Sequence, residues 1–244
     1  MRYAAIGDSF TEGVGDELPD GSTRGWADLV ATGLAASGPV SYANLAVRGR
    51  LLEPIVTEQL EAALALEPTM ITFNGGGNDM MRPGVDPAKL VALTEHAVRR
   101  CAEAGVRLVL LSGADPSVGL PFGRVVHRRG GVLTAAVAAL RERHDFTFVD
   151  VFNDAEIRRP AYWSPDRLHL APRGHRRVAS LVLSALGHPT EAEVVAPVAG
   201  EGVRRFTTEV RYYREHVLPW LHRRVRGRSS GDDRTGKHVE WTTL

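Results

Sequence analysis

Five short apolar segments, separated by longer amphipathic ones, constrain the fold of this 244-residue chain more than any other feature. Apolar runs of about four to eight residues bounded by turn residues are typical of buried β-strands. The predicted strands are Tyr3–Ile6, Val40–Leu45, Met70–Phe73, Arg107–Leu111 and Phe146–Asp150. The predicted helices lie at about Trp26–Ser37, Leu51–Leu66, Pro87–Ala104, Gly131–Arg143 and Pro172–Leu186.

Strands that alternate with helices of this length favour a parallel sheet covered by helices on both faces. We therefore predict an α/β fold, a three-layer α/β/α sandwich around a flavodoxin-like, five-stranded parallel sheet in the order 2-1-3-4-5. In such a sheet, ligands bind at the carboxyl ends of the strands, where the strand order reverses. Candidate functional residues are therefore those that directly follow a strand.

The pattern divides the chain into three parts. Residues 1–187 form the predicted α/β domain. Residues 188–228 are predicted to be a connector and an amphipathic helix, because apolar residues from Val203 to Val225 recur every three or four positions, with Pro219 as an interruption. Residues 229–244 are polar and weakly patterned, which predicts a mobile tail.

Charge and composition exclude several classes of protein. The net charge is +1, so the body has no general field that would recruit nucleic acid. Cys101 is the one cysteine, which excludes an internal disulfide and a cysteine-based zinc site. No segment is apolar enough for a membrane span. The N-terminus reads as a strand rather than a signal peptide, so we expect a cytoplasmic protein if Met1 is the native start.

The C-terminal basic segment has two interpretations. Trp220 precedes four arginines in residues 222–228. The favoured interpretation is that the apolar stripe of this helix packs on the body or on a second subunit, and that the arginines face solvent. The alternative is a peripheral contact with an anionic lipid surface. The oligomeric state is left open.

Candidate catalytic residues follow the first, second, third and fifth predicted strands. Gly7-Asp8-Ser9 follows the first strand, and Gly49 closes the segment after the second. Asn78 follows the third strand, and Asp166 and His169 come after the fifth. We expect all of these groups at one edge of the sheet.

These residue types suit acyl transfer. A serine hydroxyl needs a neighbouring base, which His169 can supply to Ser9. Asp166 can accept from the other ring nitrogen of His169 and stabilise the imidazolium that forms. The backbone N–H groups of Ser9 and Gly49 and the amide of Asn78 are candidate donors to the oxyanion.

Other α/β site types lack their motifs. No Gly-x-Gly-x-x-Gly follows the first strand, neither lysine is placed for a phosphate-binding loop, and Ser9 is not in a Gly-x-Ser-x-Gly elbow. His175 is interpreted as structural or solvated. The remaining histidines show no metal spacing, so we expect no metal and no cofactor.

Together these motifs resemble those of the SGNH (GDSL-type) hydrolases over about residues 1–187. Gly7-Asp8-Ser9 matches the first motif, Gly49 the second, Gly76-Gly77-Asn78-Asp79 the third and Asp166-Arg167-Leu168-His169 the last. The resemblance implies a metal-free esterase or lipase with Ser9 as nucleophile. The implied substrates are carboxylic esters with a short-chain acyl, lipid or acylated-sugar group. Alternatives are an acyltransferase that uses the same acyl-enzyme and a non-catalytic ligand-binding member of the fold.

Overall fold

A computed structural model describes residues 1–120, 122–190, 231–232 and 234–244, and it contains one six-stranded sheet in the order β5-β4-β3-β1-β2-β6. Strands β1 to β5 are parallel, and β6 joins β2 in the antiparallel direction. The predicted order 2-1-3-4-5 is therefore confirmed, with one strand added at its edge. The strands are β1 (Arg2–Ile6), β2 (Ser41–Asn44), β3 (Met70–Phe73), β4 (Arg107–Leu111), β5 (Thr147–Val149) and β6 (His238–Thr243).

Helices cover both faces of the sheet, as the alternating pattern predicts. They are α1 (Ser9–Glu12), α2 (Trp26–Ala35), α3 (Leu52–Pro54), α4 (Leu60–Ala65), α5 (Gly77–Met80), α6 (Pro87–Glu103), α7 (Gly123–Ala139) and α8 (Pro172–Ala185). A π-helical segment, Ile55–Gln59, joins α3 to α4, and 3₁₀ segments lie at Leu140–Glu142 and Pro160–Tyr162.

The central strand β1 explains why there are two helical layers. Successive side chains of a strand point to opposite faces. Tyr3 and Ala5 pack with helices α2 and α8, whereas Ala4 and Ile6 pack with α4, α6 and α7. All four are fully buried, so β1 is apolar on both sides and lies inside the sandwich. Its carboxyl end, which leads into Gly7 to Ser9, is thereby fixed among the carboxyl ends of the parallel strands.

Helix α7 begins at Gly123, eight positions before the predicted start at Gly131. The predicted start coincides with the pair of glycines at 130 and 131. In the structure a Cβ at Gly130 would lie 2.5 Å from a ring carbon of Phe152. The glycines therefore permit close packing inside the helix rather than starting it.

The prediction that residues 229–244 form a mobile tail is wrong for residues 238–243, because they form β6. The N–H of Leu244 donates to Val40 O at 2.9 Å, and Trp241 packs on the core beside β2. Strand β2 would otherwise leave its backbone groups unpaired at the sheet edge, and this need for partners is not visible in the sequence of the tail. The helix predicted within 188–228 lies outside the described residues from position 191 onward, and the division at residue 187 stays a prediction. Within the described segments, no helix combines the length and apolar character needed to cross a membrane.

Candidate functional site

Ser9 begins the one-turn helix α1, and two residues separate it from the end of β1. Gly7 has a φ of 154°, and a Cβ there would lie 2.5 Å from Thr11 Oγ1. Glycine therefore lets the chain turn sharply at this point. Asp8 caps the helix, because its Oδ1 accepts a hydrogen bond from the N–H of Phe10 at 3.1 Å. The hydroxyl of Ser9 is half-buried and makes no hydrogen bond to any described residue, so its Oγ is available to a ligand.

Asn78 follows strand β3, and its side chain reaches Asp8, which follows the neighbouring strand β1. Its Nδ2 donates to Asp8 Oδ2 at 3.1 Å and to Arg50 O at 3.0 Å. The amide is thus held against the residue that precedes Ser9. Since an amide nitrogen has two hydrogens, an oxyanion at this position would take the place of one of these two acceptors.

The carboxyl groups of Asp8 and Asp79 lie at the same end of the sheet. Burial raises the pKa of Asp8 to about 6, while the N–H of Phe10 and the positive charge of His169 act in the opposite direction. His169 is therefore within electrostatic reach of the residue next to Ser9. Asp79 Oδ2 accepts from the N–H of Leu52 at 2.9 Å, and burial raises the pKa of Asp79 as well. Asp79 thereby ties α5, which carries Asn78, to the start of α3.

Gly49 lies in a tight turn that is joined to the Ser9 turn. Its φ is 77°, which favours glycine, and the turn closes with a bond from the N–H of Arg50 to Val47 O at 3.3 Å. The N–H of Val47 in turn donates to Gly7 O at 3.1 Å. This bond holds the second loop against the first.

A partly buried ion pair, which the sequence pattern does not reveal, also joins these two loops. Glu12, at the end of α1, accepts from the N–H of Arg48 at 2.6 Å and from the Nε of Arg48 at 2.8 Å. Glu12 is 7% exposed. The available signal was an acidic residue one turn after Ser9 in a short buried helix, but its partner is 36 positions away.

Asp166 and His169 form a direct hydrogen bond, with 2.5 Å between Asp166 Oδ2 and His169 Nδ1. Oδ1 of the same carboxylate accepts from the hydroxyl of Ser164 at 2.6 Å and from the N–H of His169 at 3.0 Å. Burial alone would raise the pKa of Asp166. The hydrogen bond and the charge of His169 outweigh burial, and the pKa lies well below the usual range. The carboxylate therefore stays ionised and holds the ring.

The loop that carries His169 packs directly on the chain after α1. A Cβ on Gly15 would lie 2.1 Å from Leu170 O and 3.4 Å from His169 Cβ. Arg167 has a φ of 59°, so the turn between Asp166 and His169 contains a left-handed residue. This close approach places His169 at the edge of the sheet where Ser9 lies.

Two further histidines have defined partners. The N–H of Trp26 donates to His175 Nδ1 at 3.2 Å, so Nε2 carries the proton and donates to Val14 O at 3.2 Å. Burial lowers the pKa of His175 to about 4, and its role is structural. His127 contacts the buried Asp115, with 2.7 Å between its Nδ1 and Oδ2 of Asp115. This second pair was not predicted from the sequence.

The predicted site residues are thus joined in three contacts. Asp166 binds His169, Asn78 binds Asp8 beside Ser9, and the loop of Gly49 is bonded to the turn of Ser9. A hydrogen bond between Ser9 and His169 is not formed among the residues described. Such bonds are often long or poorly aligned without substrate and shorten when substrate binds.

Comparison with solved structures gives the same fold. A lipase from a goat rumen metagenome matches with 19% identity and a TM-score of 0.65, over 78% of this chain and 98% of that one. An α/β hydrolase enzyme from the metagenome of Lake Arreo matches with 22% identity and a TM-score of 0.66, over 78% and 96%. A variant of an acetyl xylan esterase from Geobacillus stearothermophilus matches with 19% identity and a TM-score of 0.63, over 79% and 97%.

Comparison with curated proteins gives no match. The model of the GDSL-like lipase/acylhydrolase family matches residues 5–177, which is most of the chain and includes all four motifs. The resemblance stated from the motifs is therefore confirmed at the level of the family, and the chain belongs to the GDSL-like lipase/acylhydrolase family.

Proposed function

We propose that this protein is a carboxylic ester hydrolase with Ser9 as nucleophile, His169 as general base and acid, and Asp166 as the residue that orients His169. The observation that carries the proposal is the hydrogen bond between His169 Nδ1 and the ionised Asp166. This bond directs the ring proton to Nδ1 and leaves Nε2 as the basic nitrogen. Ser9, with its hydroxyl free, begins a helix at the same edge of the sheet.

In the first half of the reaction, Ser9 Oγ attacks the carbonyl carbon of the ester and its proton passes to His169 Nε2. The carbonyl oxygen becomes an oxyanion. In the part of the chain that the structure describes, the backbone N–H groups of Ser9 and Gly49 donate no hydrogen bond, so both are free to bind the oxyanion. Asn78 supplies a third donor by exchanging one of its acceptors.

The second half releases the products. The tetrahedral intermediate expels the alcohol, which takes the proton from His169, and the acyl group stays on Ser9. Water then attacks the acyl-enzyme and gives a proton to His169. When this second intermediate collapses, the proton returns to Ser9 Oγ and the carboxylic acid leaves. Asp166 stabilises the imidazolium in both halves without accepting its proton.

A small cavity near the Asn78 loop is a candidate pocket for the acyl group, although Ser9, Asn78 and His169 are not among its lining residues. Its volume is about 40 Å³, and it lies between the carboxyl ends of β3 and β4 and helix α7. Asn74 and Gly75, which lead into the Asn78 loop, form one wall, and Leu133 and Val137 of α7 form another. A cavity of this volume can hold a group that is a few atoms larger than one water molecule.

Replacement of Ser9 tests the proposal. Ser9→Ala should lower kcat for p-nitrophenyl acetate by about 10⁴-fold or more, because a triad acts as a unit. The matched control is Ser184→Ala, on the exposed face of α8, which should keep the wild-type rate. A fluorophosphonate should label Ser9, as mapped by mass spectrometry. Retention of activity in Ser9→Ala, or labelling of another residue, would refute this role. Measuring free acid against transfer to an added alcohol separates hydrolysis from acyl transfer.

A further inference from the structure

A lysine from the C-terminal segment is bound to the helix that starts with Ser9. Lys237 Nζ donates to Glu12 O at 2.7 Å, to Thr23 O at 3.0 Å and to Asp28 Oδ2 at 2.6 Å. The side chain is 16% exposed. An ammonium group has three donors, so all three have an acceptor within α1, α2 and the loop between them.

Helix α1 depends on such donors from outside. It has four residues, and one isolated turn is not stable in water because helix nucleation is unfavourable. The last carbonyls of a helix have no partner within the helix. Glu12 O accepts from Lys237 Nζ at 2.7 Å and from the hydroxyl of Thr23 at 3.2 Å, and Thr11 O accepts from Asn44 Nδ2 at 3.1 Å. The position of Ser9 at the other end of this turn therefore depends on these bonds.

The same helix end also holds the loop of Gly49. The side chain of Glu12 binds the N–H and the guanidinium of Arg48, which directly precedes Gly49. Lys237 fixes the backbone of Glu12, and the carboxylate of Glu12 fixes Arg48. One ammonium thus supports both the nucleophile and a candidate oxyanion donor.

The segment around Lys237 is packed closely enough to hold it in place. A Cβ on Gly231 would lie 2.0 Å from Arg48 O, and a Cβ on Gly236 would lie 2.5 Å from the Cα of Leu45. Strand β6, which starts directly after Lys237, is paired with β2. These contacts belong to a part of the chain beyond residue 177, where the match to the family ends.

We propose that Lys237 is a positioning residue for ester hydrolysis: its ammonium fixes α1 and, through Glu12 and Arg48, the Gly49 loop, so that Ser9 and the oxyanion donors face the substrate together. The proposal rests on the proposed function. It assigns a role in the reaction to a residue in the C-terminal segment, outside all four motifs.

The test uses the full chain with Lys237→Met, which keeps an unbranched side chain one atom shorter and removes its charge and donors. Lys89→Met is the matched control, because Lys89 is the other lysine of the chain and forms an exposed pair with Glu53. Lys237→Arg tests rescue by a retained charge. The measurements are kcat and KM for p-nitrophenyl acetate, the rate of phosphonate labelling of Ser9, and hydrogen exchange at residues 9–14 and 47–50. All are made well below the lowest Tm of the set.

We expect Lys237→Met to lower kcat and the labelling rate in parallel by about tenfold to a hundredfold, since small misplacements of reacting groups have effects of this size. KM should stay within about twofold, exchange should accelerate at both loops, and Lys237→Arg should recover part of kcat. A folded Lys237→Met with the kcat and exchange of Lys89→Met would overturn the proposal. If Lys237→Met does not fold, Lys237→Gln, which keeps two donors, is judged by the same criteria. Activity that persists in Ser9→Ala would instead contradict the proposed function, and the exchange data would still decide the role of Lys237.

Discussion

Two histidine–aspartate pairs in the described part of the chain have nearly the same contact, and their surroundings differ. His169 Nδ1 lies 2.5 Å from Asp166 Oδ2, and His127 Nδ1 lies 2.7 Å from Asp115 Oδ2. Asp115 is fully buried and also faces Arg158, whose Nε is 3.2 Å from the same oxygen. Asp166 instead accepts from Ser164 and from the backbone of its own turn.

The two imidazole rings also differ in their surroundings and in their exposure. His127 is stacked on Phe152, with 5.5 Å between ring centroids, and its side chain is 46% exposed. His169 is 22% exposed and its loop packs on the chain that follows Ser9. Arg158 and His127 share the same carboxylate oxygen of Asp115. The contact between histidine and aspartate is therefore common to both pairs, and the loop of His169 packs on the chain that follows Ser9, the proposed nucleophile.

Removing each histidine gives the largest expected contrast. We expect His169→Ala to lower kcat for p-nitrophenyl acetate by about 10⁵-fold, because the base and the nucleophile act as a unit. His127→Ala should leave kcat within about threefold. Steady-state rates of both purified variants, with Tm as the check of folding, decide the comparison. Equal losses of kcat would show that the second pair also takes part in the reaction.

Replacing each aspartate with asparagine distinguishes a carboxylate that orients a catalytic histidine from one that only stabilises the fold. Asp166→Asn should lower kcat by about 10⁴-fold, since the amide favours the wrong tautomer of His169. Asp115→Asn should leave kcat close to wild type. It should lower the free energy of unfolding by about 1–3 kcal/mol, because Arg158 and His127 lose a buried partner. Urea unfolding and steady-state kinetics on the same samples measure both effects. A large drop of kcat in Asp115→Asn at unchanged stability would contradict this assignment.

The side-chain amide of Asn78, which binds Asp8, gives the third contrast. Asn78→Ala should lower kcat by about 10²–10³-fold with little change in KM, because the lost bond forms only in the transition state. Asn153, whose exposed amide binds Asp150 far from Ser9 along the chain, provides a matched Asn→Ala control. A rise in KM at constant kcat would place Asn78 in ground-state binding instead.

Much of this arrangement could be predicted because it depends on local pattern. The apolar runs locate β1, β3 and β4 to within a residue, and the parallel topology brings the segments after the strands to one edge. The pair of Asp166 and His169 follows from a spacing of three residues within one turn. In these cases the relevant partners are neighbours in the chain or are related by regular strand order.

The parts that could not be predicted depend on partners that are remote in the chain. Lys237 meets Glu12 across 225 positions, and no periodicity relates them. Strand β6 has a polar sequence, and its stability comes from the backbone groups that the edge of β2 offers. The second pair joins a loop after β4 to α7, and His127 lies twelve positions after Asp115 across a loop whose path was not predicted. Tertiary packing decides each of these contacts.

The smallest expected effect concerns stability and needs no substrate. The pKa of Asp166 is lowered in the fold, so its contribution to the free energy of unfolding is present at neutral pH and is lost as the pH falls below about 4. The pKa of Asp8 is raised to about 6, so its contribution is present below about pH 4 and is lost as the pH rises through 6. The two carboxyl groups of one site should therefore act in opposite directions.

Urea unfolding of the wild type, Asp166→Asn and Asp8→Asn between pH 2.5 and 7 measures this difference. Asp166→Asn should lose about 1.5–3 kcal/mol at pH 7, which is typical of a hydrogen bond to a charged group, and the loss should shrink towards pH 2.5. The free energy of unfolding of the wild type should fall by about 3 kcal/mol between pH 4 and 7 because Asp8 loses its proton, and Asp8→Asn should remove this fall. Since each variant alters a different part of the pH range, each serves as the control of the other. If Asp8→Asn and the wild type showed parallel curves above pH 4, the buried charge at Asp8 would not be the source of the fall, and the pKa of that carboxyl would have to lie near its ordinary value.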